Sequence, residues 1–318
     1  MAVVAVLQGG RSLERQVSLK SGARVEDALQ RLGHTAVALD VGTDLVERLV
    51  ERRPDAAFVA LHGRDGEDGT IQELLEVLGL PYTGSGVAAC IRCWDKVLTK
   101  HLLRDEAIPT PDFHAFSETA FRELGAAKAL PAIESQLDFP LVVKPAAQGS
   151  ALGIKFARRA ADVPAAIVSA FSYDRKVLLE RYVPGRDLAV SIVEDAGGEP
   201  QALPVVEAVA EGRDFYDFEA RYEIGRTRFV CPAELPAGLA ERTQELAVEA
   251  YRALGCAGFA RVDLMLREDG ELFVLEANSV PGLTETSLLP QAADAAGIDF
   301  DRLVERILGI ALARGAAV

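Results

Sequence analysis

Two runs in which apolar and polar residues alternate, 261–266 and 272–278, flank Asp269-Gly270, a dipeptide that favours a tight hairpin turn. An even-numbered loop centred on 269/270 sets Asp263 opposite Glu276 and Arg261 opposite Asn278. Side chains alternate faces along a strand, so all four point the same way. Directly opposed residues bring their Cβ atoms to roughly 5 Å, where like charges repel. Two carboxylates and an amide oxygen gathered there suit a hard cation. The same residues also fit a hydrated polar strand face on which Arg261 pairs with Asp263.

Toward the N-terminus the pattern changes. Val3–Leu7 is continuously apolar, as a strand buried on both faces must be. It stops at Gly9-Gly10 and gives way to a helical period from about Ser12 to Leu32, closed by Gly33. A strand (Thr35–Asp40), a helix (about 43–53), a strand (Ala56–Leu61) and a helix (about 70–78) follow. Such alternation predicts parallel βαβ units, hence a small doubly wound sheet domain. Ligands of such sheets lie at the carboxyl ends of the strands, which puts Gly9–Glu14 and His62–Gly69 on one rim. The glycine pair lacks the third glycine of a dinucleotide-binding fingerprint. Glu14, in the first turn of a helix, reads either as a complement to the helix dipole or as the holder of a cationic ligand.

Further on, WDKVLTKHLL is helical and carries Lys96 and Lys100; Pro109 and Pro111 then break the chain. A buried strand, Leu141–Val143, delivers Lys144 into a loop with Gly149, Ser150 and Gly153. That loop reads either as a cradle of backbone N–H groups for phosphate or as an ordinary hairpin between 141–145 and 153–157. Residues 176–182 form a strand, and Asp187–Val193 pairs with Ala202–Ala208 around Gly197-Gly198. The long, polar, aromatic stretch 210–230 has no period and suggests a lid. Helices are expected at about 236–254 and at 287–296, the second after Thr286-Ser287, both good N-cap residues.

Composition narrows the function classes. The 318 residues divide into 1–92, 93–182 and 183–318, consistent with more than one core. A net charge of −14 argues against nucleic acid as a partner. No apolar run reaches membrane length and the N-terminus lacks a signal peptide, so the cytoplasm is the expected compartment. Cys90 and Cys93 have redox or zinc spacing, but no second pair or nearby histidine completes a set; they read as two helical cysteines on one face.

Taken together, GGRSLERQVSLKSG (9–22), ALHGRDGEDGTIQ (60–72), LPYTGSG (80–86), WDKVLTK (94–100), VVKPAAQGSALG (142–153), FYDFEARY (215–222), GFARVDLML (258–266) and LEANSVPGLTETSLLP (275–290) resemble the D-alanine–D-alanine ligases of the ATP-grasp superfamily. The resemblance implies an α/β chain, with the doubly wound domain followed by a two-lobed ATP-grasp fold. It implies ATP-driven joining of two D-alanines through a D-alanyl phosphate for peptidoglycan synthesis, in a homodimer formed through the N-terminal domain. Asp263, Glu276 and Asn278 would hold two Mg²⁺ (or Mn²⁺) ions. Lys96, Lys144 and Ser150 would meet ATP phosphates; Glu180, Tyr182, Val183, Phe215 and Leu275 the adenine; Asp187 the ribose. Arg261 and the N–H of Gly282 would stabilise the oxyanion, and Glu14 and His62 would bind the first substrate. Ser287 and the N–H of Leu288 would bind the second, while Tyr222 closes on Glu14 and Ser150. Arg221 stands on the lid where lysine is usual, Asp187 where glutamate is usual, and Ala151 where serine is usual. Tyr222, where lactate-preferring relatives carry histidine, favours an amine nucleophile, and the alternative is a related ATP-grasp ligase using D-lactate, D-serine or another amine as second substrate.

Overall fold

Val3–Gln8 (β1), Arg15–Arg31 (α1), Thr35–Asp40 (β2), Leu45–Arg52 (α2), Ala56–Val59 (β3) and Thr70–Val77 (α3) build a parallel sheet in the order β2-β1-β3. The computed structural model describes residues 1–210 and 227–315, the side chains of Glu134 and Ala210 excepted. Val4 and Val6 of β1 face one core with Val25 and Leu29 of α1; Ala5 and Leu7 face another with Leu45, Leu49, Ile71 and Leu75. Layers on both faces explain the unbroken apolar run. Helix α1 begins later than its periodicity suggests. The Ser12 hydroxyl donates to the His62 carbonyl at 2.7 Å and accepts from the Glu14 N–H at 3.1 Å, holding this segment in a turn.

Val87–Trp94 (α4) and Lys96–Asp105 (α5) lead to an antiparallel sheet. It comprises Phe113–Ser117 (β4), Leu141–Pro145 (β5), Lys155–Ala157 (β6) and Lys176–Arg181 (β7), ordered β4-β7-β5-β6, with helices Glu118–Arg122 (α6), Leu130–Gln136 (α7) and Val163–Phe171 (α8) in its connections. Leu141, Val143, Val177 and Leu179 pack against Val163, Ile167 and Ala170 of α8. Alternation therefore leaves Lys144 and Glu180 together on the opposite face.

The largest sheet runs β11-β10-β8-β12-β13, with β9 beside β8. Its strands are Arg186–Glu194 (β8), Pro200–Ala202 (β9), Val206–Ala210 (β10), Thr227–Val230 (β11), Phe259–Leu266 (β12) and Leu272–Asn278 (β13). The single strand expected at 202–208 is split, because Pro204 has no N–H for the ladder. Leu239–Ala253 (α9) covers the apolar face through Ala247, Ala250 and Tyr251.

Leu288–Ala295 (α10) and Phe300–Gly315 (α11) return to the first sheet. Leu303, Val304, Ile307 and Leu308 share one core with Val4, Val6 and Phe58. No element was expected at 300–315, although the apolar stripe of α11 has helical spacing.

The hairpin corrects one detail of the sequence reading. Arg261 does pair with Asn278 and Asp263 with Glu276, yet Leu266 pairs with Leu272, so the loop Arg267–Glu271 is odd-numbered. A β-bulge between these pairings restores the register. Leu272 and Val274 lie in the apolar core, and beyond the bulge it is Ala277 that does so. Without the extra residue Glu276 would share the face of Val274.

Candidate active site

A cavity of about 680 Å³ lies where the three sheets meet, lined among others by Glu14, His62, Lys96, Ser150, Arg261 and Asn278. Its first wall is the carboxyl end of β1 and β3, where the strand order of the parallel sheet reverses. Glu14 precedes α1 and is buried; one oxygen, Oε1, accepts from the Ser150 hydroxyl. The other, Oε2, is buried with no hydrogen-bond partner among the described residues. A Cβ at Gly63 would lie 2.5 Å from that oxygen, and one at Gly149 2.7 Å, so two glycine loops close on it from opposite segments of the chain. Burial raises the Glu14 carboxyl, against the pull of Ser150, Lys96 and Arg261. An orphaned carboxylate oxygen in such a place suits an ammonium ligand more than it suits a helix dipole.

His62 is buried with both ring nitrogens engaged: Nδ1 donates to the Val280 carbonyl at 3.0 Å, and Nε2 lies 2.8 Å from Ser21 Oγ. Ser21 Oγ in turn accepts from the Leu283 N–H at 3.2 Å. Desolvation lowers His62 to about 4, so a neutral imidazole braces the loop that carries Gly282. Glu67, not singled out from the sequence, is buried beside it and accepts from the Gly63 N–H at 3.0 Å. Burial and the Glu14 carboxylate push Glu67 up to about 8.

The second wall is the loop after β5. Ser150 and Ala151 both hold φ near 55°, a left-handed conformation that L residues seldom adopt. The Lys96 ammonium donates to the Gln148 carbonyl at 2.8 Å and pairs with Glu276 at 3.0 Å, tying this loop to β13. β5 and β6 form the hairpin of the second reading, with Leu141 opposite Ala157. On the inner face, Lys144 donates to Glu180 Oε1 at 2.9 Å, and Lys100 pairs with Glu180 Oε2.

The third wall is the polar face of β12 and β13. Arg261 grips Asp263 through two hydrogen bonds, 2.7 and 2.9 Å. That is the ion pair anticipated as an alternative; Asp263 is only 2% exposed, while Arg261 is half-buried at the cavity wall. Asn278 Oδ1 accepts from the Val280 N–H at 3.0 Å. Among the described residues no three or more His, Cys, Asp or Glu side chains form a metal-holding cluster, so Asn278 would have to complete any such set.

Ser287 takes the N-cap position of α10, but its hydroxyl accepts from the Thr284 N–H at 3.0 Å and makes no cap hydrogen bond. The tight turn from Gly282 explains this, since a Cβ at Gly282 would come within 2.6 Å of Ser287 Oγ. Leu288 opens the helix, and both residues line the cavity. Tyr182 and Val183 follow β7, Asp187 lies near the start of β8, and Leu275 sits at the bulge of β13. Phe215, Arg221, Tyr222 and most of the 210–230 stretch lie outside the described residues. Cys90 and Cys93 are both buried on α4 as expected, and Cys93 Sγ lies 3.5 Å from Cys256 Sγ.

Residues 102–309 match the family model described as D-ala D-ala ligase C-terminus, and residues 42–85 that described as D-ala D-ala ligase N-terminus. The D-alanine–D-alanine ligase of Pelotomaculum thermopropionicum is 43% identical over 309 residues, 97% of this chain and 96% of the relative. That of Geotalea uraniireducens is 43% identical over 308 residues, 97% of this chain and 95% of the relative. Among solved structures, the Bacillus anthracis D-alanine–D-alanine ligase complexed with ATP gives a TM-score of 0.82 at 34% identity, covering 100% of this chain and 99% of that one. With both family models matched and relatives aligned from end to end, the chain belongs to the D-alanine–D-alanine ligase family.

Proposed function

We infer that this protein joins two molecules of D-alanine, using ATP and releasing ADP and phosphate. The observation that carries the reading is the meeting of Glu14 and Ser150. A carboxylate with one orphaned oxygen, fit for an amino acid's ammonium, touches the loop fit for ATP phosphates. The carboxylate of the first D-alanine is thereby presented to the γ-phosphate, and its oxygen takes the phosphoryl group as ADP leaves. Bringing two anions together needs surrounding positive charge, which Lys96 and Lys144 supply beside the amides of the Ser150 loop. The neutral amine of a second D-alanine then attacks the acyl phosphate carbon; phosphate departs with the C–O electron pair, and the nitrogen gives up its extra proton to that phosphate, leaving a neutral amide. Arg261 and the Gly282 N–H receive the developing oxyanion, and Ser287 with the Leu288 N–H receives the second carboxylate. Because the nucleophile is a neutral amine, turnover rises toward alkaline pH.

Glu180, Tyr182, Val183 and Leu275 form the adenine end and Asp187 the ribose end of the nucleotide site. Asp263, Glu276 and Asn278 offer hard oxygen donors on one strand face, the set a magnesium ion takes. Magnesium would neutralise phosphate charge there. No helix among the described residues is long and apolar enough to cross a membrane. We take the protein to act in the cytoplasm as a homodimer in peptidoglycan synthesis, with 1–92 holding the first substrate and 93–182 and 183–318 clasping ATP.

The test is phosphate release from ATP. It should require D-alanine and proceed poorly with L-alanine, and the product formed from D-alanine, D-serine and D-lactate identifies the second substrate. No dependence on D-alanine would overturn the reading.

A further inference from the structure

Among the described residues the best-buried charge belongs to Lys100, which lies outside the main cavity. Its side chain is fully buried on α5, and Nζ pairs with Glu180 Oε2 on β7. It also donates to Thr110 Oγ1 at 2.6 Å and lies 3.4 Å from the Pro111 carbonyl. The Thr110 hydroxyl passes the link on, donating to the Val274 carbonyl at 2.8 Å, while the Val274 N–H donates to the Pro109 carbonyl at 2.8 Å. Val274 adjoins Leu275, the residue at the bulge. One ammonium thus joins a carboxylate in the central sheet to the bulge in the largest sheet.

We propose that Lys100 is a positioning residue for the nucleobase, fixing the Glu180 carboxylate as an acceptor for an exocyclic amine and, through Thr110, fixing the opposite side of the base pocket at Leu275. The proposal rests on the nucleotide reading of Glu180 and Leu275 given above. A buried ammonium without partners is costly, so its three oxygen partners are a necessity of the fold as well as a consequence of it. With Lys144 on Oε1 and Lys100 on Oε2, the carboxylate has no freedom to turn. An ionised carboxylate only accepts hydrogen bonds, so it accepts from a 6-amino purine and repels a 6-oxo purine. If Lys100 is lost, Lys144 alone must balance Glu180 and is drawn away from phosphate.

The experiment titrates ATP and inosine triphosphate into the full chain and into Lys100→Met, Glu180→Gln and the double variant. Lys100→Met should weaken ATP binding about tenfold or more, as loss of one charged hydrogen bond does, and shrink the preference for ATP over inosine triphosphate. D-alanine affinity should hold within about twofold, inside the spread of distant, independent sites. The double variant, which leaves neither charge buried alone, should bind ATP no worse than Glu180→Gln. It answers the question even where Lys100→Met does not fold. Unchanged ATP and inosine triphosphate binding in Lys100→Met, or additive losses in the double variant, would overturn the proposal. Nucleotide binding is read without turnover. Intact binding with no D-alanine-dependent phosphate release would therefore remove the ligase reading and leave this one standing.

Discussion

Glu14 and Gly149 are separated by most of the chain's first half, yet a methyl group at Gly149 would lie 2.7 Å from Glu14 Oε2. The Ser150 loop and the Glu14 carboxylate are in contact because both surfaces there are as thin as a polypeptide allows. Gly149→Ala should push the loop off Glu14, raising KM for the first D-alanine by about tenfold or more with less change in KM for ATP. Steady-state kinetics over both substrates checks this, and equal effects on the two constants would contradict it.

Asp263 is buried and doubly bonded to the half-buried Arg261. Arg261→Met removes both of these charged hydrogen bonds from the buried Asp263 carboxylate and should cost about 2–3 kcal/mol of stability, as loss of hydrogen bonds to a charged group does. Arg261→Met combined with Asp263→Leu should recover much of that stability while turnover stays abolished. Denaturant unfolding alongside activity separates the two effects.

Asn278 is half-buried, and among the described residues its side chain gives the fold one hydrogen bond, from the Val280 N–H. Asn278→Ala should lower stability by about 1 kcal/mol, as one hydrogen bond does, and cripple turnover. Wild-type activity in this variant would refute the proposed metal role.

His62 predicts a specific pH dependence. It is neutral in the folded chain down to about 4, whereas in the unfolded chain it takes up a proton below about 6.5. The unfolded state therefore binds more protons between those values, and stability falls as pH drops from 6.5 toward 4, by about 3 kcal/mol in full. Glu67 has the opposite sign: held protonated up to about 8, it removes stability as pH rises from 4.5. The two windows overlap, so the clean measurement is the stability of the wild type minus that of His62→Gln across pH. That difference should climb between pH 4 and 6.5 and level off above; a flat difference would show that His62 is not buried neutral.

The hairpin shows how a correct expectation can stand on the wrong local geometry. Opposed carboxylates at Asp263 and Glu276 follow from like alternation on two strands, but the loop is odd and a bulge restores the pairing. Alternation is a local property and was legible; a bulge is set by what packs on each face and was not. Ser287 is similar. Its place before α10 was visible, whereas the turn that directs its hydroxyl to Thr284 depends on the close approach of Gly282.

By itself, the sequence determined the strands and helices with strong periodicity and the blocks that carry the family likeness. It also determined which face of β12 would be charged. Those features depend on neighbours a few residues away. Only the tertiary structure decided that α11 would close over the first sheet, that Glu14 would keep one oxygen without a hydrogen-bond partner among the described residues, and that Lys100 would find Glu180 and Thr110 in the interior. Burial of a charge and its partners is fixed by chain segments that meet only on folding, and no spacing along one chain encodes that meeting directly.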